Sequence, residues 1–337
     1  MVKTTKSRQT DRQTEYLSIQ NTKALKGIFS CFVLMHHLYQ HSGIFHNSKI
    51  GYVFQLMGYL SVAVFFFLTG YGLSVSYKEK GRTYIDNFPK KRILPFYVIC
   101  VLSIILYSVE KLILKENMNI TTLIKSFFFG GTIVGNGWYL QASLILYLLY
   151  YFSFKVIIKD NLKYIACSLF LIVYCILCNL FNLSTTWYES IVTFILGLTF
   201  PLIKNIFDKL TDSTMKKLLV VLIEFLLFAF LILCGGADVP TYATILIKMI
   251  SAIIFVVLVL SIMKVVNIEH TITKFLGDIS MEIYVFQGLF LSLYHSQNIY
   301  ISNPYVYIIL VVFSTIAFSI LIHPFCNNIY KFCGNKI

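Results

Sequence analysis

Lys26, Ser30, His36, His37 and His41 fall in one otherwise apolar stretch, and they are the first residues here that could do chemistry. Ionisable side chains inside a membrane helix are costly, so each is a candidate for function. On a helix, the eleven steps from Lys26 to His37 make three turns plus about 20°. Lys26 and His37 therefore share a stripe, with Ser30 and His41 near it, whereas His36 points about 80° away. At the helical rise, His37 lies roughly 16 Å along the axis from Lys26. An imidazole at that depth, with a pKa near neutrality, suits a general base or a nucleophile. Plainer roles fit too: Lys26 as a snorkelling flank, the imidazoles as hydrogen-bond partners of neighbouring helices. His37 and His41 are spaced i, i+4 as metal ligands can be, but no third ligand is evident and no metal is expected.

A catalytic imidazole is commonly oriented by a carboxylate. Glu282, in the run Gly277–Gln287, lies roughly 12 Å beyond Lys274 along a helix, close to the depth of His37. Glu224, about 10 Å past Lys217, is the rival. Either could instead pair with a Lys or a Tyr. Lys90, Lys91 and Arg92 place three cations just before Pro95, at one helix start. Such a cluster suits a phosphorylated cytosolic ligand, and it suits chain orientation and anionic lipid equally well. The run Val64–Gly72 ends in small residues that permit close helix packing or line a pore. Trp138 and Tyr139 fall at an interface position where aromatic belts are routine. Cys175 and Cys178 form C-x-x-C without a second pair, and read as small apolar packing residues.

The elements that hold these residues follow from composition. Of 337 residues, 58% are hydrophobic and only 13% charged, against about 25% charged in soluble domains. The bulk must face lipid, and apolar runs in lipid form helices. Ten segments can be drawn: Lys26–His41, Val53–Tyr77, Ile93–Val109, Trp138–Ile158, Tyr164–Phe181, Trp187–Ile203, Leu218–Gly235, Tyr242–Val266, Phe275–Tyr294 and Tyr305–Tyr330. With a cytoplasmic N-terminus, only Lys49, Lys111, Lys115 and Lys125 of the 28 basic residues fall in outer loops, and Lys248 falls within a segment. The remaining 23 lie inside, which places both termini in the cytoplasm and accounts for the net charge of +13 without nucleic acid. The expected architecture is all-α and polytopic, with a basic cytoplasmic tail over residues 1–22 and a membrane domain over 23–337. The polar start has no cleavable signal pattern.

Taken in order, these segments resemble the acyltransferase-3 family of membrane acyltransferases over nearly the whole chain. That family opens its first helix with a basic residue, ten residues and a histidine. Lys26-x10-His37 is similar, with Lys where Arg is commoner. An aromatic second helix ending in a small polar residue and Gly resembles Phe65-Phe66-Phe67-Leu68-Thr69-Gly70. Arg92-Ile93-Leu94-Pro95-Phe96-Tyr97 resembles the family's basic Leu-Pro-aromatic entry to the third helix. Trp138-Tyr139-Leu140 resembles its Trp-aromatic-Leu entry to the fourth, and Gly277 through Tyr284 its Gly-x-x-Ser-x-x-x-Tyr segment. Two features depart from the pattern. The family's Arg-x-x-Arg is matched only by Arg92, with Pro89 at the first position and Lys90 or Lys91 as substitutes. The family's late histidine is Gln287 here, which removes a second general base at that position.

The resemblance implies an acyl donor, usually acetyl-CoA, bound from the cytoplasm as a co-substrate, with no resident cofactor. The acyl group passes to a hydroxyl of a cell-envelope or extracellular polysaccharide, or its lipid-linked precursor. His37 then activates the acceptor or carries the acyl group, with Glu282 as its orienting carboxylate. Lys26, Lys90, Lys91, Arg92, Trp138 and Tyr139 contact substrate. The expected site of action is the plasma membrane, among membrane lipids. No soluble esterase-like domain is read after the tenth segment, so transfer is direct or goes through a separate extracytoplasmic partner. The alternative is a polysaccharide exporter or flippase without acyl-transfer chemistry, and a third option is a membrane scaffold or sensor.

Overall fold

The structure is a computed structural model that describes residues 16–46, 48–129, 133–235 and 241–333. Among the described residues it is helical, without strands. The helices are α1 (Ile19–Ser42), α2 (Lys49–Lys80), α3 (Arg82–Asp86), α4 (Leu94–Ile113), α5 (Ile120–Phe129), α6 (Trp138–Val156), α7 (Asp160–Leu180), α8 (Val192–Leu210), α9 (Thr214–Gly235), α10 (Thr241–Met263), α11 (Thr271–Asp278), α12 (Ser280–Leu293) and α13 (Pro304–Phe332). A wide turn over Pro89–Ile93 leads into α4. Among the described residues, seven helical stretches are long and apolar enough to cross a membrane, and α11 with α12 makes an eighth if the pair is one span.

Side-chain caps set several helix starts by satisfying backbone N–H groups that the helix cannot. Ser48 Oγ accepts from Gly51 N at 3.0 Å. Asn303 Oδ1 accepts from the backbone of Tyr305 and Val306 at 3.0 and 3.2 Å, with Pro304 as the first residue of α13. Gly81 ends α2 in a left-handed conformation, φ 57°, which suits glycine.

Three expectations are corrected. The first helix begins at Ile19, so Lys26 lies almost two turns inside it instead of opening it. Residues 19–22 of the expected tail are helical, and residues 1–15 lie outside the described residues. The segment Phe275–Tyr294 is not one helix but α11 and α12, broken at Ile279. Ser280 Oγ turns back to the Gly277 carbonyl at 2.9 Å at this break. Finally, α5 forms where a loop was expected, because Asn119 Oδ1 caps Thr121 N at 2.8 Å and ten residues can bury one apolar face without spanning the bilayer.

The chain divides into two compact units. The first comprises the chain up to Phe32, Tyr59–Val75 and Tyr188–Ser280. Here α2 and α8 touch backbone to backbone: a Cβ on Gly197 would overlap the Phe67 carbonyl, and one on Gly70 would overlap the Phe194 carbonyl. Small residues are what let membrane helices approach this closely. Thr193 and Ser190 add hydrogen bonds to the carbonyls of Ala63 and Tyr59, at 2.7 and 2.9 Å. Lys248 Nζ lies 2.9 Å from the carboxylate of buried Glu189. Asp208 accepts from Lys204, Lys264 and Tyr16, tying the start of the described chain to the ends of α8 and α10.

The second unit comprises Val33–Gly58, Ser76–Trp187 and the chain from Met281 onward. An aromatic core forms round fully buried Phe88 and Phe154: Tyr150 lies 5.2 Å from the first and 4.3 Å from the second, ring to ring. Phe88 thereby anchors the loop that carries the basic cluster. Lys155 at the end of α6 meets Asp86 at 2.7 Å, and this hydrogen bond and charge hold the Asp86 carboxyl below its usual range. Tyr107 donates to the Val285 carbonyl at 2.8 Å, joining α4 to α12.

The close α2–α8 contact predicts that Gly197→Val lowers stability by about 1–3 kcal/mol, the usual cost of overpacking. Gly72→Ala, with open space at its Cβ, should leave the melting temperature of the purified protein unchanged or slightly higher. Equal losses from the two would refute the contact.

Candidate active site

The two adjacent histidines have different surroundings. His36 places Nδ1 3.0 Å from the Phe54 carbonyl, and its ring lies so close to Gly58 that a Cβ there would overlap it. His36 therefore serves the packing of α1 on α2. His37, 8% exposed, has Nδ1 3.2 Å from Gln40 Oε1, and Gln40 Nε2 reaches towards Gln55 Oε1 at 3.5 Å. An Nδ1–H donated to the amide oxygen leaves the lone pair on Nε2. That is the form a general base or nucleophile requires. His41 lies 6.4 Å, ring to ring, from His295. His295 stacks on Tyr307 at 3.8 Å, and its burial lowers its pKa.

Glu282 is not the partner of His37. Its Oε1 lies 2.8 Å from Nδ1 of His323, whose Nε2 meets Asn327 Nδ2 at 2.7 Å. The break at Ile279 explains the difference. It makes Glu282 a first-turn residue of α12, where a helix N-terminus favours a carboxylate, and its facing helix is α13. Glu282 is 5% exposed and its Oε2 has no hydrogen-bond partner. The rival, Glu224, lies in the first unit beside Ser261 of α10. His323 escaped the sequence reading, although an ionisable residue in the apolar run of α13, just before Pro324, was a usable signal.

Lys90, Lys91 and Arg92 are all exposed, and the Arg92 guanidinium lies near Tyr84, Tyr147 and Tyr330. Tyr147 lies near Tyr139, and Tyr139 meets Tyr284 of α12 at 4.6 Å between ring centroids. Tyr330 lies near both Arg92 and Glu282. A run of phenolic hydroxyls thus leads from Arg92 through α6 to α12 within the second unit. Trp138 lies 6.4 Å from Trp187, ring to ring, and both line a cavity of about 800 Å³. Lys26 belongs to the first unit and is exposed.

A polytopic helical protein with polar groups gathered inside its membrane helices has the makings of a membrane enzyme. A family model described as an acyltransferase domain, that of the acyltransferase-3 family, matches residues 20–323. The chain belongs to that family and is a membrane acyltransferase. No curated protein and no solved structure matches it.

The Glu282–His323 pair carries its own prediction. Removing one partner of a buried hydrogen bond leaves the other unsatisfied at a cost of about 1–3 kcal/mol, whereas replacing both by apolar groups is often close to neutral. His323→Leu should therefore lower the melting temperature more than the double replacement Glu282→Leu with His323→Leu. Additive losses in this cycle would show that the two side chains are not coupled.

Proposed function

We propose that this acyltransferase moves an acyl group, acetyl in the first instance, from cytosolic acyl-CoA to a hydroxyl of a cell-envelope or extracellular polysaccharide or its lipid-linked precursor. The plasma membrane is its site of action, with ten crossings and both termini in the cytoplasm. The observation that carries this reading is His37: buried, with Nδ1 engaged by Gln40 and Nε2 without a protein partner among the described residues. Arg92, exposed and near Tyr84, Tyr147 and Tyr330, supports a seat for the anionic donor, since a guanidinium makes bidentate, charge-assisted hydrogen bonds to phosphate. Lys90 and Lys91, both exposed, add positive charge for phosphates arriving from the cytoplasm.

The chemistry has two forms with the same balance. In one, His37 Nε2 takes the proton of the acceptor hydroxyl as its oxygen attacks the thioester carbonyl. The C–S bond then breaks and the proton passes to the CoA thiolate. In the other, Nε2 attacks the carbonyl and CoA leaves as the thiolate; the acceptor hydroxyl then takes the acyl group from the imidazole, which is freed, and the hydroxyl's proton passes to the CoA thiolate. In both, positive charge develops on the ring, and Gln40 Oε1, accepting from Nδ1–H, stabilises it. Glu282, facing His323, acts on the architecture around Tyr330 and Arg92 and not on His37 directly.

The test uses purified protein in vesicles, labelled acetyl-CoA and a glycan acceptor, at matched protein levels. His37→Gln should abolish transfer, a loss of at least about 100-fold for a missing general base. His36→Gln should retain substantial activity, because an amide can still donate to the Phe54 carbonyl. Full activity in His37→Gln, or loss confined to His36→Gln, would sink the assignment.

A further inference from the structure

We propose that His41 and His295 form a transition-metal site at the rim of the second unit, where α1 ends and α12 turns towards α13, and that its ligand is a zinc-class divalent cation. The ion is no cofactor of acyl transfer, so the site stands apart from that reading. Packing brings the two side chains together. Leu34, Leu38 and His41 recur on α1 at helical spacing, which puts them on one face. Leu34 and Leu38 join Leu291, Tyr307 and Val311 in a buried cluster. The helix faces that form this core thus carry His41 and His295 to its edge. His295 follows the end of α12, in a loop that the Ile301 N–H closes on the Tyr294 carbonyl at 3.0 Å. Its ring lies flat on Tyr307, with 3.8 Å between centroids and 8° between planes. Tyr307 is itself pinned, its hydroxyl donating to the Leu291 carbonyl at 3.1 Å. One face of the His295 imidazole is therefore taken, whereas its edge, which holds both nitrogens, is not.

The seven histidines of the chain sort by partner. His36, His37, His46 and His323 each have a ring nitrogen within hydrogen-bond distance of a carbonyl, amide or carboxylate oxygen, and His270 caps α11. His41 and His295 make no side-chain hydrogen bond among the described residues, and these two stand beside each other, 6.4 Å ring to ring. Burial lowers the His295 pKa, which keeps that imidazole neutral with a lone pair to give. A neutral pair suits a Lewis acid. An anion would need two adjacent imidazolium charges, which repel. Imidazole nitrogen suits zinc, copper or nickel ions, whereas magnesium and calcium take oxygen. Zinc–nitrogen bonds of about 2.0–2.1 Å set two ligand rings roughly 5–6 Å apart. The exposed His41 side chain closes the difference by turning about its own bonds towards the stacked His295. No group of three metal-ligating side chains occurs among the described residues, so water completes the shell and binding is weak and reversible. The bound ion would brace the end of α1, one turn beyond His37, against the chain that leaves α12.

The full chain, purified in detergent without a polyhistidine tag, would be titrated with Zn²⁺ by calorimetry in a buffer that does not chelate. Its melting temperature would be followed in parallel. Saturable binding is expected, with a rise in melting temperature that a chelator reverses, because an ion bound to the folded state stabilises it. His41→Gln alters an exposed side chain, and His295→Phe keeps a ring on Tyr307, so both should melt near the wild-type temperature without metal. Each should weaken Zn²⁺ binding at least about tenfold, and the double replacement little further, since two ligands of one ion act as a unit. His46→Gln alters another exposed histidine near the end of α1 and should bind as the wild type does. Binding unchanged in His41→Gln or in His295→Phe would overturn the proposal, as would equal losses from His46→Gln. Binding that survives His295→Phe and disappears in His37→Gln would also overturn it, by assigning the ion to His37 and His41.

Discussion

Hydrocarbon offers nothing to a polar group, so every donor and acceptor carried into the membrane must be met from within the protein. This constraint shapes both units. Serine and threonine side chains turn back on helix carbonyls, as Thr193 does on Ala63 and Ser103 on Ile99. Ionisable groups find partners, as Lys248 does in Glu189 and His323 in Glu282. Polar atoms left over stand out against that background. Among them are the Oε2 of Glu282 and the Nε2 of Gln141; His37 bonds Gln40 through Nδ1, and its Nε2 has no protein partner among the described residues.

The same constraint separates positioning from chemistry. His36 and His37 differ little in burial, so burial cannot assign their roles. Their partners do. His36 is consumed by a carbonyl of α2 and by the flat face of Gly58, whereas His37 uses one nitrogen and keeps the other. Phe88, buried in the aromatic core, fixes the start of the turn that carries Lys90, Lys91 and Arg92.

Much of this was legible in the sequence, for physical reasons. Long apolar runs have only one solution in lipid, so helices such as α2 and α13 follow closely from composition. The helical phase of Lys26, His36 and His37 anticipated that the two histidines would face different ways. Pairings across helices were not legible. The break at Ile279 depends on Gly277 packing against the backbone of Lys23, which hydropathy does not register, and it redirected Glu282 towards His323. The tyrosines near Arg92 come from three separate helical elements.

The central claim is that His37 is the reacting group, with Nδ1 engaged by Gln40 and Nε2 left for chemistry. Diethylpyrocarbonate acylates unprotonated imidazole nitrogens, and peptide mass spectrometry locates the modified histidine. Modification of His37 is expected to track the loss of acyl transfer, with acetyl-CoA protecting both the residue and the activity. Activity that is lost while His37 stays unmodified, or that survives its full modification, would contradict the account.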